Sequence, residues 1–174
     1  MKLKWIFRFA ALVAVLALTA VATNADEGTL SLRAKLTGFQ ETPPTLSPST
    51  GTFEATVIGS TLSYTLTYTK LSTPATQAHI HFGQPGVPGG IFLWLCQSTI
   101  KPGPVGTPTC PPDGGTVSRS GVTAADIQGI SGQNLTAGDF AGVLRIISAG
   151  EAYVNVHTTA IPGGEIRGLV RSGD

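Results

Sequence analysis

Alternating apolar and polar residues dominate the chain from residue 28 onward. The clearest runs cover residues 30–36, 53–57 and 62–68, where every second side chain is apolar or aromatic. A period of two buries one face of a strand and leaves the other face in water, as in antiparallel sheets. Gly59 and Ser60 lie between the second and third runs, and this pair predicts a tight hairpin turn.

Five further strands are predicted from apolar runs and from the turn residues that bound them. They cover residues 77–82, 91–96, about 115–122, 152–158 and 165–171. Eight short strands separated by turns predict an all-β fold, an antiparallel Greek-key sandwich or barrel. The 22 Gly and 12 Pro of the chain are typical of such a turn-rich fold.

One or two short helices are predicted in the last third of the chain. Thr123 and Asp126 have the spacing of a helix cap and predict a short turn. A second cap precedes an apolar stripe at helical spacing, which consists of Phe140, Val143, Leu144 and Ile147. Gly150 is in the favoured position after a helix. We expect the stripe to cover an end or edge of the sheet, and a partner-binding helix is the alternative.

Residues 1–25 have the pattern of a secretory signal peptide. Basic residues precede an uncharged run over residues 9–22, and small residues follow before the first acidic residue, Asp26. A membrane anchor is the alternative, but the uncharged run is shorter than the roughly 20 residues that a spanning helix needs. The sequence therefore predicts a secreted or periplasmic protein with a single β domain over residues 26–174 and no membrane attachment after cleavage.

The charge balance excludes several classes of partner. The whole chain has 11 basic and 10 acidic residues, a net charge of +1, and only 12% of its residues are charged. Without residues 1–25, 8 basic and 10 acidic residues remain, and the net charge becomes −2. So few and scattered basic residues exclude nucleic acid as a partner, and the sequence leaves a protein or small-ligand partner unidentified.

Cys96 and Cys110 are the two cysteines of the chain. An even number of cysteines in an exported protein favours a disulfide between them. A metal pair is the alternative, but neither the Cys-x-x-Cys spacing nor a nearby histidine supports it. The enclosed segment is rich in proline and predicts an irregular loop that the disulfide closes.

All three histidines of the chain lie in two predicted strands. His79 and His81 alternate with apolar residues, so both project from one face with Cα atoms about 6.6–6.8 Å apart. His157 shares a face of the later strand with Tyr153 and Asn155. If the two strands are neighbours, the three imidazoles form a cluster that suits copper or zinc with an open position.

Other interpretations of the histidines remain open. Exposed histidines on a sheet surface, or histidines in a hydrogen-bond network without metal, produce the same sequence pattern. Four polar residues are candidates for orienting an imidazole, and these are Tyr153, Asn155, Glu165 and Arg167. Glu165 and Arg167 alternate on one strand, and an ion pair between them is slightly favoured over contact with the histidines.

No catalytic residue is nominated. The chain lacks a Gly-x-Ser-x-Gly elbow, and its cysteines are predicted to be joined, so no nucleophile with a positioned base is evident. The glycines at 86, 89 and 90 lack the lysine and helix of a phosphate-binding loop and are interpreted as a strand connection.

Three segments resemble the chordin-type domain family called CHRD. They are Ala-His-Ile-His-Phe-Gly at 78–83 with the glycines that follow, Ala-Tyr-Val-Asn-Val-His-Thr at 152–158 with Pro-Gly-Gly-Glu-Ile-Arg-Gly at 162–168, and the opening segment 36–44. Together they span about residues 30–170. Leu169 departs from the family pattern, because family members often have Gln at this position. Any role that the Gln side-chain amide has in the family is therefore in doubt for this chain.

The resemblance implies a secreted binding module. CHRD domains occur in secreted bacterial proteins and in animal chordin, and the domain has no established enzymatic activity. The His-x-His strand, the later histidine and the closing Gly-x-x-Arg-Gly hairpin also look like the copper half of copper-zinc superoxide dismutase, at the level of fold. Three histidines are too few for the bridged two-metal site of that enzyme, so the same dismutase activity is not expected.

Three hypotheses follow. The first is a CHRD-type binding module that holds copper or zinc through His79, His81 and His157. The second is a metal-dependent redox enzyme that uses the same residues. The third is a purely structural or adhesion domain whose histidines bind nothing.

Overall fold

Nine strands and one α-helix make up the part of the chain that the computed structural model describes, residues 28–173. The predicted signal peptide lies outside the described residues. The strands are β1 (Leu30–Thr37), β2 (Thr50–Ile58), β3 (Thr61–Thr69), β4 (Ala75–Phe82), β5 (Gly90–Cys96), β6 (Gly115–Val122), β7 (Ala152–Thr158), β8 (Ile166–Leu169) and β9 (Arg171–Ser172). The helix is α1 (Phe140–Ser148), and short 3-10 turns cover Gly38–Gln40, Ala124–Asp126 and Ser131–Gln133.

The strands form one antiparallel sheet that curls into a nearly closed barrel. Their order is β5-β4-β7-β8-β1-β2-β3-β6, and the short β9 pairs with β1. The edge strands are β5 and β6, and beside β6 the Tyr64 hydroxyl on β3 donates to the Leu95 carbonyl on β5 at 2.6 Å. The predicted all-β class with about eight strands and a late helix is therefore confirmed. The turn at Gly59, where φ is 55°, joins β2 and β3 as predicted.

The alternating residues meet inside the barrel. Phe53, Leu66, Ile80, Phe92 and Val154 are at most 1% exposed, and each comes from a different strand. Together they bury enough apolar surface to stabilise the packing of the sheet against itself.

Helix α1 packs an apolar face against this core, as the sequence predicts. The Asp139 side chain caps the helix by accepting a hydrogen bond from the Gly142 backbone N–H at 2.7 Å. The buried face differs slightly from the predicted one, because Ile146 is buried and Leu144 is only partly buried. Over residues 28–173 the structure contains no helix with the length and hydrophobicity needed to cross a membrane.

Cys96 and Cys110 form the predicted disulfide, at a sequence separation of 14. The enclosed loop folds back on itself, because the Gln97 backbone N–H donates to the Pro108 carbonyl at 2.9 Å. Gln97 Oε1 also accepts a hydrogen bond from the Gly103 backbone N–H at 2.6 Å. The disulfide therefore closes a loop that starts at the end of β5.

Replacing both cysteines by alanine is expected to lower the free energy of unfolding by about 3 kcal/mol, because the unfolded chain regains the entropy of the open loop. Urea unfolding of the variant and of the wild type, each with and without reductant, measures the effect. Reductant should destabilise the wild type by a similar amount and leave the variant unchanged. Equal stability of the two oxidised proteins would contradict this expectation.

Candidate metal centre

The pairing of β4 with β7 brings the three histidines together. His79 lies opposite Asn155 and His81 lies opposite Tyr153 in this pairing, and His157 lies opposite Gln77. One ring nitrogen from each histidine lies within 4.8 Å of the others, and His79 Nδ1 is 3.2 Å from His157 Nε2. The condition on which the predicted cluster depends, that the two strands are neighbours, is met.

The histidines are buried although they point away from the apolar core. His79 is 0% exposed, His81 is 7% exposed and His157 is 6% exposed. Loops cover this outer face of the sheet, since ring nitrogens of His81 and His157 contact the carbonyls of Gly89 and Pro162. The alternative in which the histidines are exposed on the sheet surface is therefore wrong.

Hydrogen bonds define which nitrogens are free. His157 Nδ1 donates to the Pro162 carbonyl at 2.9 Å, so Nε2 of the neutral ring carries a lone pair. This lone pair faces Nδ1 of His79. His79 Nε2 is buried and has no hydrogen-bond partner among residues 28–173.

Trp94 covers His79 from β5. The two rings are nearly perpendicular, at 79°, with their centroids 4.3 Å apart. The loop closed by the disulfide backs this indole, because a Cβ on Gly103 would lie 2.5 Å from Trp94 Cε3. No sequence pattern indicated Trp94, because its place opposite His79 depends on the pairing of β4 with β5.

His81 is held between two oxygen atoms and an aromatic ring. Its Nδ1 is 2.9 Å from the Gly89 carbonyl and its Nε2 is 3.0 Å from Asn155 Oδ1. The Tyr153 ring stacks on the imidazole, with centroids 4.6 Å apart and planes 4° apart. Both ring nitrogens of His81 therefore face hydrogen-bond acceptors, and a neutral imidazole can donate to only one of them.

Burial keeps the cluster neutral. It lowers the pKa of His79 to about 2, with a further contribution from the two neighbouring imidazoles. Burial also lowers the pKa of His157 to about 4 and outweighs the hydrogen bond to Pro162, which raises it. The pKa of His81 is lowered by burial as well. Near neutral pH the imidazoles are therefore neutral, and each has one ring nitrogen without a proton. The neutral imidazole is the form that binds metal ions.

Arg167 ties a loop to the cluster through Tyr153. It is 2% exposed, and its guanidinium carbon lies 3.3 Å from the centroid of the Tyr153 ring. The same guanidinium donates to the carbonyls of Gln84 and Val87, each at 2.9 Å. Arg167 thereby fixes the loop over residues 83–89, whose Gly89 carbonyl contacts His81.

Glu165 does not pair with Arg167, so the favoured expectation of an ion pair is wrong. Its carboxylate is fully buried and surrounded by donors from distant segments. These donors are the side chains of Ser47, Ser49, Ser72 and Thr158 and the backbone N–H of Ser72. Glu165 makes no hydrogen bond to an imidazole within the described chain. Hydroxyl donors satisfy the carboxylate without a counter-ion, and this leaves the guanidinium free for carbonyls and the aromatic ring.

Glu41 is a second residue near the site that no sequence pattern indicated. It is 6% exposed, and burial raises the pKa of its carboxyl. The hydrogen bond from the Thr42 backbone, the charge of Arg167 and the hydrogen bond with the Asn155 side chain lower this pKa, but burial outweighs them. Gly164, where φ is 126°, permits this packing, because a Cβ there would collide with Glu41 Oε1 and approach Asn155 Nδ2. Glu41 occurs in the segment 36–44, but nothing in its spacing indicates a place near the histidines.

The donor set fits a single metal ion. Three nitrogens bound at about 2.0–2.1 Å in trigonal or tetrahedral geometry lie about 3.3–3.6 Å apart. His79 and His157 are already at a comparable distance, 3.2 Å, and small ring movements bring the third nitrogen in from within 4.8 Å. His79 Nε2 is buried and has no partner within the described part of the chain. If the proton of this ring moves from Nδ1 to Nε2, the lone pair of Nδ1 faces the cluster.

Comparison with known proteins identifies one family. Searches of curated proteins and of solved structures gave no match to the chain. The model of the family described as CHRD domain matches residues 32–170, which include most of β1, all of β2 to β8, α1 and all three histidines. The match covers well over half of the chain, so this protein belongs to the CHRD domain family.

Proposed function

We propose that the protein is an exported CHRD binding module that holds one copper or zinc ion through His79, His81 and His157. The observation that carries the proposal is the convergence of three neutral, buried imidazoles with ring nitrogens within 4.8 Å of one another. The imidazole nitrogen is a common ligand of both metals.

Unbalanced hydrogen bonding favours a metal site over a purely structural network. A network that only stabilised the fold would pair nearly every buried ring nitrogen with a complementary group. Here His79 Nε2 has no partner, and both nitrogens of His81 face acceptors. A cation in the cluster would give a partner to a ring lone pair that otherwise has none or faces an acceptor.

The proposed export has separate support. The disulfide between Cys96 and Cys110 is typical of oxidising compartments, which include the periplasm and the extracellular space. The basic and apolar pattern of residues 1–25 agrees with this compartment.

Equilibrium dialysis of the purified chain against copper or zinc, followed by elemental analysis, tests the metal site. The wild type should bind one ion per chain. His79→Ala, His81→Ala and His157→Ala should each weaken binding at least tenfold, because each removes one of three ligands. Asn134→Ala, at an exposed position, should bind as the wild type does.

A fold check keeps this test decisive. His157→Gln retains a buried polar side chain without the imidazole, and circular dichroism should show the wild-type fold while metal binding falls. Wild-type protein that takes up neither metal would overturn the proposal. Undiminished binding by all the histidine variants would also overturn it, since the chain has no other imidazole.

A further inference from the structure

The ligand set of the cluster carries no negative charge. All three ligands are neutral imidazoles, and the two cysteines of the chain are joined in the disulfide. The Glu165 carboxylate is occupied by hydroxyl donors. The Glu41 carboxylate lies beyond Asn155 and accepts from the Thr42 backbone at 3.2 Å. Among residues 28–173 no carboxylate contacts the imidazoles, so an ion bound there keeps its full charge.

Positive side chains act on the cluster from two sides, and the buried Glu41 carboxylate offsets one of them in part. The Arg167 guanidinium carbon lies 3.3 Å from the centroid of the Tyr153 ring, and this ring stacks against His81. Lys101, in the loop closed by the disulfide, adds a positive charge on the side of His157. This positive surrounding opposes an added cation, and it opposes a divalent ion twice as strongly as a monovalent one.

Burial discriminates in the same direction. The cost of moving an ion from water into a low-dielectric site rises with the square of its charge, so it is about four times larger for a divalent ion. The three histidines are at most 7% exposed, and Trp94 and Tyr153 pack against His79 and His81. These rings add no negative charge, and they pack where water ligands would otherwise reach the imidazoles.

Coordination preference agrees with the electrostatics. Zinc in a three-histidine site takes a further water or substrate ligand, and Cu(II) prefers a tetragonal set of ligands. Cu(I) is monovalent, has a filled d shell and is satisfied by three nitrogens. Sodium and potassium are also monovalent, but they prefer oxygen ligands over imidazole.

We infer that the cluster of His79, His81 and His157 selects Cu(I) over Zn(II) and Cu(II). The inference rests on the proposed metal site and assigns the ion that it takes. Neutral ligands, positive neighbours and burial together make the charge of the ion the property that decides affinity.

Competition titrations test the assignment. Under anaerobic conditions the purified chain competes for Cu(I) with bicinchoninate, and for Zn(II) and Cu(II) with nitrilotriacetate. We expect one equivalent of Cu(I) to bind at least 100-fold more tightly than either divalent ion. Ag(I), a redox-inert monovalent probe, should shift the NMR signals of all three imidazoles at one equivalent.

A charge variant makes the test specific to electrostatics. Asn155→Asp places a carboxylate against His81 with almost no change in volume, since Asn155 Oδ1 is 3.0 Å from His81 Nε2. The ratio of Zn(II) to Cu(I) affinity should rise at least tenfold in this variant. The matched control Asn134→Asp, at an exposed position, should leave the ratio unchanged.

The outcomes separate this inference from the metal site itself. Binding of Zn(II) or Cu(II) as tightly as Cu(I) by the wild type, or an unchanged ratio in Asn155→Asp, would overturn the selection of Cu(I) and leave a metal site in place. No uptake of any of these ions would overturn the proposed function as well.

Discussion

Glu165→Ala is expected to lower the free energy of unfolding by about 4 kcal/mol, because it removes the acceptor for several buried donors at once. The carboxylate is 0% exposed. Its partners come from the segment before β2, the connection between β3 and β4, and the end of β7, and they include Ser49, Ser72 and Thr158. Loss of Glu165 leaves the buried hydroxyls of Ser49 and Thr158 without this acceptor, removes the anchor of Ser72 and disconnects three segments.

Matched variants make this prediction specific. Glu54→Ala, on the exposed face of β2, should change stability by no more than about 0.5 kcal/mol. Glu165→Gln should fall between the two, because the amide keeps the volume but directs an NH₂ group at donors. Urea unfolding followed by circular dichroism measures all three variants. A loss below about 1 kcal/mol for Glu165→Ala would show that the carboxylate does not connect these segments.

The same carboxylate should give stability a characteristic pH dependence. Burial alone would raise its pKa, but the hydrogen bonds donated by Ser49, Ser72 and Ser47 outweigh burial and lower the pKa from 4.5 to about 2. A lowered pKa in the folded state adds stability that is complete above pH 4.5 and is lost as the pH falls towards 2. The wild type should therefore lose stability in this range more steeply than Glu165→Gln.

Arg167→Ala is expected to cost about 3 kcal/mol, because the carbonyls of Gln84 and Val87 lose a charged donor and the Tyr153 ring loses its contact. The 83–89 loop should loosen as a result. Since the Gly89 backbone N–H donates to the Tyr153 hydroxyl at 3.2 Å, its hydrogen exchange should accelerate.

Two comparisons isolate the role of the guanidinium. Arg33→Ala, at an exposed position on β1, should change stability by no more than about 0.5 kcal/mol. Arg167→Lys keeps the charge but loses the planar group that reaches both carbonyls, so it should recover only part of the loss. If Arg167→Ala unfolds no more easily than Arg33→Ala, the loop is held by other contacts.

Local patterns predicted most of the elements that the structure contains, but the strand predicted over residues 165–171 is divided into β8 and the short β9. The alternation in β1, β2 and β3 is strong because one face of each strand lies in the core and the other in water. Helix α1 was predicted from its cap and stripe, but the stripe included Leu144 and omitted Ile146. The exact packing direction depends on the sheet beneath the helix, and the stripe does not contain that information.

The partners of polar residues were the least predictable part of the site. Glu165 and Arg167 are two residues apart, and the sequence favoured pairing between them. Their actual partners lie far away in the chain. The sequence separation is 118 for Glu165 and Ser47 and 83 for Arg167 and Gln84. Glu41 approaches Asn155 and Trp94 packs on His79 from separate segments, and no local spacing indicates either contact.

The sequence by itself determined what depends on neighbouring residues: the alternation of the strands, the shared face of His79 and His81, and the single possible disulfide. Tertiary structure decided what depends on contacts between distant segments. The pairing of β4 with β7 brings His157 to the other two imidazoles, and the covering loops bury all three. Burial and the neutral ligand set are therefore properties of the fold, because they arise from strand order and loop packing that no local period encodes.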